Sequence, residues 1–140
     1  MDTTTVMGNN NNHQQARHNE QACEFLQTDP RFKDWVITTA FYSTIYYSRH
    51  KIAPHAVNGS GKEIIYENFE ELYQNFKRDN QNRHQFTVEW VSRNHRQVAA
   101  EFRFLFDSCN SARYINYTVS KTVMDDCVKA LSKIKEYCLQ

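Results

Sequence analysis

Between Asp34 and Arg49 the chain reads DWVITTAFYSTIYYSR, and the thirteen residues from Trp35 to Tyr47 carry no charge. Placed on a helical wheel, Trp35, Val36, Ile37, Ala40, Phe41, Tyr42, Ile45, Tyr46 and Tyr47 point in all directions, the pattern of a helix packed on every side. The β-branched and aromatic content would also suit a strand. The run is far longer than a usual strand of roughly 5–6 residues, however, and no turn residue interrupts it. It is therefore read as the central helix of a small bundle.

Three glycines and two prolines in 140 residues leave too few turns for a barrel or sandwich of short strands. A chain of this length can bury a core of its own in one domain. The fold class expected is all-α, a single-domain bundle of five to six helices. A net charge of +1 supplies no global field for a polyanion, so any nucleic-acid contact has to come from a local patch.

The start, MDTTTVMGNNNN, has an acid at position 2 and no apolar stretch of signal-peptide length, and nowhere do about 18 uncharged apolar residues follow one another. A cytoplasmic location with no membrane contact is expected. Cys23, Cys109, Cys127 and Cys138 are widely spaced, without a Cys-x-x-Cys pair, and read as reduced, buried thiols.

Residues 1–12, ending in Asn9 to Asn12, are polar and low in complexity and are assigned to a disordered tail, so that the bundle occupies 13–140. A helix from His13 to about Gln27 is closed by Asp29-Pro30, which turns the chain into the central helix. Pro54, Gly59 and Gly61 place a flexible loop over Ala53–Gly61. A third helix, about Glu63 to Lys77, gathers Ile65, Phe69, Leu72, Tyr73 and Phe76 on one stripe. After the polar loop Arg78–Arg83 a helix runs from His84 to about Asn94, and from Gln97 another aligns Val98, Phe102, Leu105, Phe106, Cys109 and Ala112. The last helix has the cleanest stripe, Val119, Val123, Cys127, Ala130, Leu131, Ile134 and Tyr137, with Ser120 as its N-cap.

Several motifs for chemistry fail on inspection. Gly59-Ser60-Gly61-Lys62 resembles the end of a phosphate-binding loop, but Ala56 stands where the first glycine belongs and Glu63 replaces the magnesium-binding hydroxyl. The near histidine pairs, His13/His18 and His50/His55, are five apart and diverge on a helix, so no metal site and no cofactor are expected. No nucleophile elbow occurs.

Two regions remain. The window Arg78 to Arg96 holds Arg78, Arg83, Arg93 and Arg96 with His84 and His95 against Asp79 and Glu89, with Phe86 and Trp90 interleaved. Such a mixture suits phosphate contacts and stacking on RNA, and equally a solvated helix face beside core aromatics. Arg113, in Ser111-Ala112-Arg113-Tyr114-Ile115-Asn116-Tyr117, projects from the edge of its apolar stripe. Its planar fork suits phosphate, or a structural pairing with Asp34 or the carbonyls of a neighbouring helix.

Taken with their order and spacing, three blocks resemble the HEPN family of small helical-bundle proteins. They are His18-Asn19 in the first helix, Asp34-Trp35 with Ala40-Phe41-Tyr42 in the central helix, and Leu105-Phe106-Asp107 followed by Ala112-Arg113-Tyr114. His84 leads the intervening helix, and the likeness covers about Gln15 to Thr118. Many HEPN proteins are metal-independent ribonucleases, often toxins or phage-defence effectors, whose dimers join two copies of an Arg-x4-6-His motif. This chain departs from that pattern: from Arg113 the histidine positions are Thr118, Val119 and Ser120, and Tyr117 is the nearest ring. Arg49 with His55 and Arg78 with His84 meet the loose spacing, at the frequency chance gives with nine arginines and six histidines.

The resemblance implies a homodimeric, non-catalytic module that binds RNA, a nucleotide or a partner protein in a toxin–antitoxin or defence setting. Arg113, Tyr114, Arg83, Arg93, Arg96, His18 and Asn19 are the binding candidates. The alternative is a metal-independent ribonuclease with a divergent centre, for which Arg113, His84 and Tyr117 are the catalytic candidates. A third reading is a purely structural protein that assembles through exposed rings such as Phe104.

Overall fold

A computed structural model describes the backbone of residues 3–140 and the side chains from residue 11 onward. The uncharged run forms helix α2, Lys33–Ile52, in which Val36, Ile37, Ala40, Phe41, Ile45 and Tyr47 are buried. Helix α1, Thr3–Leu26, lies against it, and a 3-10 turn over Pro30–Phe32 joins the two, with the Asp29 side chain accepting from the Arg31 backbone N–H. Ser43 Oγ donates to the Ala16 carbonyl at 2.7 Å, and Cys23 Sγ to the Val36 carbonyl at 3.6 Å, which fixes α1 against α2 along its length. The tail expected over residues 1–12 lies partly outside the described residues, and α1 takes in its remainder from Thr3.

Helices α3 (Phe69–Phe76), α4 (Arg83–Asn94), α5 (Arg96–Tyr114) and α6 (Lys121–Cys138) complete an all-α bundle in which α2 touches every other helix. Their starts follow local chemistry. Asn82 and Gln85 form a reciprocal capping box on α4, and Ser120 Oγ accepts from the Val123 N–H, as the sequence predicts for α6. The stripe residues Val98, Phe102, Leu105 and Cys109 of α5, and Cys127, Leu131 and Ile134 of α6, are all buried. The four cysteines are free and buried. The central helix is not packed on every side as expected: Trp35 is 49% exposed, and Tyr42 and Tyr46 are half-buried.

The segment after α2 corrects the sequence reading. Instead of a flexible loop and a helix from Glu63, His55–Gly59 and Lys62–Tyr66 pair as antiparallel strands β1 and β2, and α3 begins only after Asn68, whose side chain caps it. The two central turn residues, Ser60 (φ 53°) and Gly61 (φ 77°), both lie in the left-handed region. That geometry belongs to two-residue hairpins, because its twist matches that of the flanking strands. The base of the hairpin is anchored where His55 meets Trp90 edge-on at 5.0 Å and Tyr66 meets Phe76 at 5.2 Å.

No helix among the described residues is long and apolar enough to cross a membrane.

Candidate functional site

Arg49 ends the uncharged face of α2 and is only 7% exposed. Its guanidinium lies over the rings of Tyr46, at 5.4 Å, and Phe69, at 4.8 Å. Nε donates to Thr87 Oγ1 at 3.3 Å and Nη2 to His84 Nδ1 at 3.1 Å. Among the described residues no carboxylate forms an ion pair with it; the carboxylate that bears on its charge, Glu70, is held by Arg83 through Nε at 2.9 Å. Burial pushes the Arg49 guanidinium below its ordinary value, yet a guanidinium stays charged at any physiological pH.

The contact with His84 fixes that ring. A guanidinium has donors and no acceptor, so Nδ1 must supply the lone pair and the proton of the neutral imidazole sits on Nε2. Burial first, and the Arg49 charge second, lower the His84 pKa from 6.5, so the ring is neutral at pH 7. His84 is half-buried, and its Nε2 has no protein partner among the described residues.

Tyr42 continues the row. Its ring meets His84 at 5.6 Å between centroids, and its hydroxyl accepts from Arg113 Nη1 at 3.2 Å. Phe41 backs both rings. Arg113 is exposed, stands 5.6 Å from the Tyr114 ring, and has no ion pair among the described residues. It pairs with Tyr42, not with Asp34. Arg49, His84, Tyr42 and Arg113 thus form one line across α2, α4 and α5.

The other candidates divide. Tyr114 and Tyr117 are 76% and 74% exposed, beside and just beyond the end of α5. Arg83 lies within the basic window but is committed to Glu70 and stacked 4.9 Å over Tyr73. Arg78 is committed to Glu89. Arg93 and Arg96 are exposed at the junction of α4 and α5. Phe86 and Trp90, interleaved with these arginines in sequence, pack with Phe69, Tyr73 and Phe76. Phe86 belongs to the core, and Trp90 packs against it. His18 is exposed on α1, and Asn19 donates to the Gln15 carbonyl, so that neither belongs to the row.

Comparison with protein-family models, with curated proteins and with solved structures finds no match.

Gly59–Lys62 is a hairpin turn that leads into a strand, so its N–H groups do not open a helix as a phosphate loop requires. The histidines pair in a way their spacing hides: His13 of α1 stacks on His50 of α2 at 5.0 Å. No three potential metal ligands come together among the described residues. Sequence reasoning missed Arg49 as a site residue. The available signal was the first charge after fourteen uncharged positions, Trp35 to Ser48; its partners, His84 and Thr87, are set by packing alone.

Proposed function

We propose that this chain is a HEPN-like helical module that binds single-stranded RNA and does not cleave it. The observation that carries this reading is the row Arg49, His84, Tyr42 and Arg113, in which neither arginine is neutralised by a carboxylate among the described residues. An RNA phosphate between Arg113 and the Nε2–H of His84 would meet one full charge and one neutral donor. The exposed rings of Tyr114 and Tyr117 offer stacking surfaces for neighbouring bases, a sequence-tolerant contribution of about 1–3 kcal/mol per base. Arg93 and Arg96 extend the positive surface. The HEPN likeness of the blocks around His18, Asp34 and Arg113 supports the same class of ligand.

Cleavage is the second reading, favoured by a neutral histidine beside an arginine. A metal-independent ribonuclease needs a base for the 2′-hydroxyl proton. The one lone pair of His84 is engaged by Arg49, which favours binding over cleavage.

The test is incubation of the pure protein with labelled total RNA at low salt without metal, beside Arg113→Ala. A mobility shift without cleavage, weakened in the variant, is expected. Cleavage lost in Arg113→Ala would replace this reading with the ribonuclease, and neither shift nor cleavage would exclude both.

A further inference from the structure

We infer that Arg49 is a positioning residue that locks His84 as a permanent Nε2–H donor, making the RNA contact insensitive to pH near neutrality. This rests on the binding reading above for its ligand, but not for its geometry. Arg49 is badly placed to touch RNA itself. It is 7% exposed, its cationic face is covered by Tyr46 and Phe69, and two of its donors are used inside the protein.

What it can do is decide the state of its neighbour. A free histidine near neutral pH divides its population between two neutral tautomers and the imidazolium. With Arg49 donating to Nδ1, two of those three states lose out: the Nδ1–H tautomer sets donor against donor, and the imidazolium adds a charge beside a buried one. The surroundings do not oppose this. From α2 the ring faces Arg49, Tyr42 and Phe41. On its own helix Arg83 is held by Glu70 of α3, and Thr87 is bonded to Arg49. From α5 Arg113 reaches Tyr42. No carboxylate touches the imidazole among the described residues, so nothing there favours its charged form. The same lock withholds the lone pair that a base would need, which ties RNA retention to the absence of cleavage.

The measurement is 15N NMR of the histidine side chains in the full chain, as a function of pH, for the wild type, Arg49→Met and the conservative Arg49→Lys. In the wild type His84 is expected to show a bare Nδ1 and a protonated Nε2 at neutral pH, and to take up its second proton only below the ordinary 6.5. In Arg49→Met the tautomers mix and the ring titrates at higher pH. Arg49→Lys restores the one-sided pattern, which separates donation to Nδ1 from mere filling of space. RNA retention should be flat with pH in the wild type and rise on acidification in Arg49→Met. Mixed tautomers or a charged His84 at neutral pH in the wild type overturn the inference, whether or not the methionine variant folds. A one-sided His84 with no RNA binding overturns the proposed function and leaves the lock standing.

Discussion

Arg49 donates through Nη2 to His84 Nδ1 at 3.1 Å, across 35 residues of chain and from one helix to another. The pair joins the buried end of the central helix to the first turn of α4, and it rests on Thr87, one turn further along α4. It also explains why a basic group sits in the interior: ring faces and two acceptors replace the carboxylate that a buried arginine ordinarily finds.

Thr87→Val is expected to destabilise the protein by about 1–3 kcal/mol, the cost of leaving a buried donor unsatisfied. Thr87 is fully buried and its Oγ1 accepts from Arg49 Nε. Valine keeps the shape and removes the acceptor. Urea unfolding of Thr87→Val beside Thr87→Ser measures it, with serine losing less because the hydroxyl remains. Equal midpoints for valine and wild type would show that the hydroxyl contributes nothing to holding Arg49.

Stability should fall on mild acidification. His13, His84 and His95 all have pKa values lowered from 6.5, with burial the leading cause in each. The unfolded chain therefore binds more protons than the folded one as pH drops. The contribution is fully present above 6.5 and is lost as pH falls through 6.5 toward the lower folded-state values. Glu70 and Glu101, held down by Arg83 and Lys133, add their losses only below 4.5. Urea midpoints followed from about pH 8 to about pH 5 isolate the histidine window. A midpoint that is level or rises across it would refute this.

Apolar residues of similar weight in the sequence should differ sharply in effect. Ile45 is fully buried at the middle of α2, and Ile45→Ala is expected to cost about 2–5 kcal/mol through lost transfer energy and a cavity. Phe25 is 75% exposed on α1, and Phe25→Ala should change stability by less than about 0.5 kcal/mol. Thermal melts of the two variants give the comparison, and a large loss from Phe25→Ala would mean that the α1 to α2 corner carries packing not seen in the fold.

Much of the bundle was legible because its signals are local. The stripe from Val123 to Tyr137, the cap at Ser120 and the uncharged run of α2 each depend on residues within a turn or two of one another. The hairpin was not legible for the same reason. Ile65 fits a helical stripe with Phe69 and Leu72 as well as it fits a strand opposite Ala56, and the choice was made by the left-handed turn at Ser60 and Gly61. At the site, Arg113 could be singled out from its place at the edge of a stripe, whereas its partner Tyr42 lies 71 residues earlier and replaces the expected Asp34.

The amino-acid sequence by itself determined the helical class, the central position of α2 and the side on which most helices bury themselves, since periodicity and capping act over a few residues. Only the tertiary structure decided that Arg49, and neither Arg78 nor Arg113, meets His84, and that Phe86 and Trp90 pack with each other and with Phe69 instead of standing free among the arginines that flank them in sequence. Which side chains meet across helices depends on how ridges of one seat in grooves of another, and that relation has no fixed spacing along a chain.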